Sequence, residues 1–235
     1  MGVVLILTLE RLEIVQDDFC LTANLSVPTG ARVAVIGPSG AGKSTLLAAI
    51  AGFLKPGSGK ILWDGVDLAD LPPGERPLSL LFQDNNLFPH LNAAENVGLA
   101  LRSDLRLSSS QKDAVTHVLE RVGLKGFGNR KPAALSGGQI ARVALARMIL
   151  RQKPLVLLDE PFGALGPALK GEMLTLLADL LDETGATLLM VSHDPDDAVR
   201  ISNQTILVAE GIAHPPTDTA TLFANPPDAL KNYLG

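Results

Sequence analysis

Residues 37–45 read Gly37-Pro38-Ser39-Gly40-Ala41-Gly42-Lys43-Ser44-Thr45, a glycine-rich run that closes on a cation and two hydroxyls. The spacing G-x-x-x-x-G-K-[ST] lets backbone N–H groups converge on phosphate oxygens, and Lys43 adds a full charge toward the β and γ phosphates of a nucleotide. Ser44 is then placed to ligate Mg²⁺. A second anion-binding helix start stands at Leu135-Ser136-Gly137-Gly138-Gln139. There Ser136 is a natural N-cap, Gln139 completes a capping box, and the paired glycines permit close approach of a ligand. Asp159 and Glu160 end the apolar run 155–158. That position suits Asp159 to hold Mg²⁺, directly or through water, and Glu160 to orient and activate an attacking water. A glycine turn, an ordinary helix cap and a solvated strand end are the competing readings, and the order of the surrounding elements decides against them.

Those elements follow from hydrophobic periodicity. Residues 3–15 alternate as a strand, and 31–36 form a β-rich run that leads straight into Gly37. Residues 44–54 are Ala/Leu-rich and are closed by Lys55-Pro56-Gly57, which predicts a helix from the glycine loop to Pro56. Further strands are expected at 61–63 and 78–83, separated by a turn-rich segment. From 92 to 150 the pattern is largely helical, broken at Ser108-Ser109-Ser110 and at 123–132. The runs 155–158 and 186–191 are continuously apolar, as central strands of a parallel sheet must be, with a helix between them at 168–183.

At 235 residues, 46% hydrophobic and 19% charged, the chain buries a sizeable core and is expected to form one α/β domain over 1–235. A net charge of −5 without long basic runs argues against nucleic acid as a partner. The single Cys20 forms no internal disulfide, fits a reduced compartment and is expected to be a small buried apolar side chain. Residues 3–9 are too short for a signal peptide, and no apolar run reaches the ~18 residues of a spanning helix, so any membrane link is expected to run through a partner. His90, His117 and His214 carry no expected role.

The LSGGQ segment at 135–139, between a phosphate loop and an acidic strand end, resembles the signature of the ABC ATPase family. The resemblance reaches from strand 31–36 through residue 210. It implies a P-loop NTPase fold: a RecA-like parallel sheet, an antiparallel β subdomain and a helical subdomain at about 88–150. It further implies ATP and Mg²⁺ as ligands, and a head-to-tail homodimer in which 135–139 caps the γ-phosphate of ATP held by the other copy. Gln83 resembles the family's residue linking Mg²⁺ and water to a permease contact, and so joins Ser44 and Asp159 as a metal candidate. His193, in Val191-Ser192-His193-Asp194, resembles the switch histidine at the γ-phosphate. Integral-membrane permease subunits, and through them a solute-binding protein, are the implied partners, with the chain on the cytoplasmic face. Wording at 51–54, 80–88 and 188–193 is similar to the ATPase subunits of bacterial thiamine importers. The expected activity is ATP hydrolysis coupled to uptake of thiamine or thiamine phosphates; import of another small solute, or a slowly turning nucleotide-gated module, are the alternatives. Non-transport ABC ATPases usually carry coiled-coil insertions or tandem cassettes that this chain lacks.

Three departures accompany the resemblance. Gly166 stands where the family's SALD has its carboxylate, which removes a cross-dimer contact and predicts slowed hydrolysis. The signature is followed by Ile140-Ala141-Arg142 rather than Arg-Gln-Arg, so only Arg142 carries over. Gln16 replaces an aromatic expected to stack on adenine, with Phe19 nearby as a substitute.

Overall fold

Alternation of apolar and polar residues builds an antiparallel ribbon first, and continuous apolar runs then build a buried parallel core. The structure, a computed structural model, describes residues 5–82 and 87–234. Its strands are β1 (Leu5–Gln16), β2 (Phe19–Pro28), β3 (Arg32–Ile36), β4 (Ser58–Trp63), β5 (Val66–Asp67), β6 (Leu78–Leu81), β7 (Leu155–Asp159), β8 (Thr187–Val191), β9 (Gln204–Ala209), β10 (Ile212–Ala213) and β11 (Thr217–Asp218). Its helices are α1 (Lys43–Ala51), α2 (Ala93–Gly98), α3 (Ser109–Arg121), α4 (Gly137–Leu150), α5 (Pro167–Thr184), α6 (Pro195–Ile201), α7 (Thr219–Ala224) and α8 (Asp228–Leu234), with a short 3₁₀ turn at Pro132–Ala134. None of the described helices is long and apolar enough to cross a membrane. The chain divides into two compact units, Met1–Leu78 with Pro154–Asp159 and Gly185–Gly235, and Ser79–Lys153 with Glu160–Thr184.

In the first unit the strand order is β5-β4-β1-β2-β10-β9-β3-β8-β7. β3 runs parallel to both β8 and β9, and β7 parallel to β8, whereas β1 pairs antiparallel with β2 and β4. β7 is buried except at its last residue and β8 throughout, which requires the Val/Ile/Leu-rich runs seen in the sequence. β2 instead alternates, with Leu21, Ala23, Leu25 and Val27 buried and Cys20, Thr22 and Asn24 on the solvent side. Cys20 is therefore exposed, not buried as its residue type implied, because register and not hydrophobicity sets its face. Leu46, Leu47 and Ile50 of α1 are all but fully buried. Ala34 and Ile36 of β3, Leu207 and Ala209 of β9, and Ala198, Leu222 and Leu230 of the C-terminal helices form a further apolar cluster.

Helix α1 ends at Ala51, short of Pro56. Gly52 takes φ 88° and its N–H returns to the carbonyls of Ala48 and Ala49, a left-handed C-cap that stops the helix before proline is reached.

The second unit is helical, and each of its first three helices opens on a capping box: Asn92 with Glu95, Ser108 with Gln111, Ser136 with Gln139. Its core gathers Val97 of α2, Val115, Val118 and Leu119 of α3, Val143 and Leu145 of α4, and Met173 and Leu177 of α5. The buried amide of Asn96 accepts from the Phe88 N–H at 2.7 Å and donates to the carbonyls of Phe88, Leu91 and Asn92, which fixes the loop entering α2.

Candidate active site

Three parallel strands of the first unit deliver their carboxyl ends to one edge. Val35 of β3 and Asp159 of β7 are both in register with Val191 of β8, so the loops that follow begin side by side, where open α/β sheets bind ligands. The loop after β3 is residues 37–42. Its Gly37 (φ 149°) and Gly42 (φ 100°) admit no side chain: a Cβ would lie 1.9 Å from the Val208 carbonyl oxygen and 2.5 Å from the Phe19 ring. A turn closes between them, with the Ala41 N–H donating to the Pro38 carbonyl at 3.2 Å and Ser39 and Gly40 exposed at its tip. Gly42 leads into α1 without a side-chain cap, and no acidic residue lies in the first turn. The positive end of that helix, with Lys43, Ser44 and half-buried Thr45 on it, is left to an anionic ligand.

Lys43 is only 8% exposed, and its Nζ donates to the carbonyls of Gly37 and Pro38, both at 2.8 Å. The ammonium is thus curled over the loop, near where phosphates would sit. Ser44 Oγ donates to Asp159 Oδ1 at 3.1 Å. A hydroxyl and a carboxylate oxygen meeting beside a phosphate-type loop are the hard donors that Mg²⁺ takes, so the residues present fit that ion. Glu160 follows directly with φ 47°. A left-handed backbone costs a non-glycine residue about 1–2 kcal/mol, a strain of the kind stored at functional sites. His193 is exposed in the turn between β8 and α6, and the N–H of Ser192 before it donates to the Val35 carbonyl at 3.3 Å. Gln83 lies outside the described residues.

In the second unit, Ser136 Oγ accepts from the Gln139 N–H at 3.3 Å and Gln139 Oε1 accepts from the Ser136 N–H at 3.0 Å. Ser136 and Gly137 are exposed, Gln139 is half-buried and Gly138 is buried against Leu169. Gly137 and Gly138 begin α4, so the segment presents a helix N-terminus with one bare glycine outward. Arg142 is occupied internally, donating to the Val122 carbonyl at 2.9 Å and to Glu172 at 3.1 Å. Gly166 is exposed just before α5, with open space where a side chain would stand. Gln16 is exposed at the end of β1, whereas the Phe19 ring lies against Gly42 of the loop.

Two features carried no signal in the sequence. Arg76, 4% exposed, donates to the carbonyls of Ala49 and Ile50 at the end of α1, at 3.0 and 2.7 Å, and to that of Leu71 at 3.0 Å. Burial lowers its pKa from the ordinary value, against an opposing pull from Asp67. It clasps the far end of the helix whose near end carries Lys43. The second unit also holds a cleft of about 190 Å³ lined by Ser79, Leu81, Phe88, Leu99, Arg147 and Arg151 among others. Burial, and then the charge of Arg151, push the Arg147 guanidinium below its usual range.

The family model for ABC transporters matches residues 21–163. The chain is 60% identical over 229 residues to the Thiamine import ATP-binding protein ThiQ of Cereibacter sphaeroides, covering 97% of this chain and 99% of that protein. It is 54% identical to the protein of the same name from Ruegeria sp., with the same coverage. Among solved structures, a dimeric ATP-binding cassette in a post-hydrolysis state, bound to ADP and Pi, superposes with a TM-score of 0.77 at 31% identity, over 91% of this chain and 98% of that one. A dimeric bacterial ABC transporter cassette superposes equally well at 32% identity. The match of the family model to more than half of the chain, together with 60% identity over nearly all of it, places this chain, with its phosphate loop, capped double-glycine helix start and acidic strand end, in the ABC transporter family.

Proposed function

We propose that this chain is the ATP-hydrolysing subunit of an importer for thiamine, working as a homodimer that closes on two ATP molecules and drives permease subunits in the membrane. The observation that carries the nucleotide chemistry is the meeting of Lys43, Ser44 and Asp159 at one strand edge, with Ser44 Oγ 3.1 Å from Asp159 Oδ1. Thiamine as the solute is supported by thiamine import ATP-binding proteins up to 60% identical over nearly the whole chain.

The loop amides and Lys43 hold the triphosphate, and Phe19, beside the loop, offers a ring for the base. Ser44 and Asp159, with Gln83 as a further oxygen donor, would hold Mg²⁺, which when bound would supply charge to offset that of the phosphate oxygens. Glu160 orients and deprotonates the attacking water, and His193 donates to the γ-phosphate from the end of β8. Ser136, Gly137, Gly138 and Gln139 of the partner copy close the site over the same phosphate. The cleft of the second unit is flanked by Leu81 and Phe88, on either side of the segment that carries Gln83, and gives the permease a cationic, partly apolar surface. The chain sits on the cytoplasmic face, and a solute-binding protein is met only through the permease.

Two measurements test the reading. Glu160→Gln is expected to keep ATP binding and dimerisation while turnover falls by about 10²-fold, the scale of lost general-base help; unchanged hydrolysis removes Glu160 from the mechanism. Uptake of radiolabelled thiamine by a strain deleted for this chain is expected to depend on its restoration, and undiminished uptake in the deletion strain refutes thiamine as the solute.

A further inference from the structure

The turn that carries His193 is tied down on both sides. Before it, the Ser192 N–H donates to the carbonyl of Val35, two residues upstream of Gly37, at 3.3 Å. After it, the Asp194 N–H donates back to Ser192 Oγ at 3.1 Å, and Asp194 Oδ1 accepts from the Asp196 N–H at 3.0 Å, capping α6. The Ser192 hydroxyl makes its shortest contact, 2.7 Å, by donating to Asp197 Oδ2, and both residues are buried, at 4% and 8% exposure. A longer contact to the Asp194 carbonyl, at 3.3 Å, is its other acceptor.

Asp197 is unusual in two respects. Carboxylates are rarely buried without a specific partner. Nor does α6 need this one as a cap, since Asp194 already fills that place. What Asp197 does hold is a hydroxyl one residue before His193, on a strand end in register with β3. A charge-assisted bond of this length fixes the Ser192 side chain, and with it the backbone on which the imidazole is mounted.

We infer that Asp197, acting through the Ser192 hydroxyl, is a positioning residue that holds His193 in line with the phosphate loop. The inference rests on the hydrolytic role proposed above for His193. Removing the bond frees the turn without touching nucleotide contacts, so kcat falls while KM for ATP holds; a displacement of about 1 Å in a positioned group can cost up to 10²-fold.

The test is steady-state ATP hydrolysis by the purified full chain, alone or with its permease, for Ser192→Ala, Asp197→Leu and Asp197→Asn, each also combined with His193→Ala. Ser192→Ala and Asp197→Leu delete the same bond from opposite ends, so one serves if the other fails to fold. Both are expected to lower kcat by about tenfold, with KM little changed. Asp197→Asn keeps an oxygen acceptor and is expected to lose less than Asp197→Leu. In the His193→Ala background the two deletions are expected to have no further effect, because the group they position is gone. A loss that multiplies in full on that background, or a wild-type kcat in both deletions, overturns the inference. Wild-type hydrolysis by His193→Ala itself overturns the role of His193 instead, so the two failures are told apart.

Discussion

Replacing Gly137 by alanine separates a glycine kept for folding from one kept for a ligand. Gly137 opens α4, is exposed and does not take a positive φ. A Cβ built on it meets nothing closer than Leu165 Cδ2, at 3.6 Å, an ordinary contact. Nothing inside the chain opposes the methyl group, and alanine favours a helix over glycine by roughly 0.5–1 kcal/mol. For a chain of this size that raises the melting temperature by about 1–4 °C. If two copies close on ATP through this segment, however, the methyl group stands between the α4 amides and the triphosphate held by the neighbour. Displacement of the phosphate by about 1 Å costs up to 10²-fold in rate, so a variant at least as stable as the parent should hydrolyse ATP tenfold to 10²-fold more slowly. Gly138→Ala is the contrast, since its Cβ falls 2.4 Å from Leu169 Cδ2 and forces that side chain to move, mixing packing with function. Differential scanning calorimetry and a coupled ATPase assay on the same preparations decide the matter. A stabilised Gly137→Ala with parental turnover would falsify the idea that this helix start meets nucleotide.

Lys43→Ala removes the cation held at 2.8 Å over the loop and is expected to weaken ATP binding by tenfold or more in a calorimetric titration, on the scale of a lost charge-assisted contact of about 1.5–3 kcal/mol; intact affinity argues against the assignment. Arg76→Ala removes the donor to the Ile50 carbonyl and one of the two donors to that of Ala49, and is expected to lower unfolding free energy by about 1–3 kcal/mol in urea titration, a loss that a surface arginine would not produce. Gly166→Asp fits open space and supplies both a carboxylate at the α5 start and the cross-dimer contact, so turnover is expected to rise by roughly 2- to 10-fold, the rate equivalent of about 0.5–1.5 kcal/mol; an unchanged rate means this position does not limit coupling. The Asp104 carboxyl, hydrogen-bonded by Arg102, titrates at about 2, below its ordinary 3.8. Its contribution to stability is complete above pH 4 and disappears as pH falls through 2, so the melting-temperature gap between parent and Asp104→Asn should narrow from pH 6 to pH 3. A gap that widens reverses the sign and refutes the pairing.

What was legible in the sequence is what local chemistry determines. The strand before Gly37, the Ser136–Gln139 capping box and the apolar run into Asp159 each depend on neighbours within a few residues, and all three stand where the pattern puts them. The helix from the glycine loop ends sooner than the pattern predicts, because Pro56 is a visible stop whereas the left-handed turn at Gly52 is apparent only from the backbone. β10 has two residues; its pairing with Val208 and Ala209 across the Glu210-Gly211 turn is local, but its parallel pairing with Thr22 and Ala23 joins the two ends of the chain, so no window of sequence around it contains the whole of its cause. Arg76 carries no sequence signal because the carbonyls it serves lie 26 and 27 positions away, and Asp197 because its bond to nearby Ser192 gains its meaning only from the strand end that β3 locates. Cys20 shows the limit of residue-type averages, since the pleat outranks hydrophobicity on a strand with one face to solvent.

That outward thiol has a practical use. It is the only cysteine of the chain, and its neighbour Phe19 lies against Gly42 of the phosphate loop. A maleimide fluorophore attached to the native protein would therefore label one known position, on the face of β2 opposite the Phe19 ring, and its emission would report on the solvent side of the ribbon with no engineered residue anywhere in the molecule.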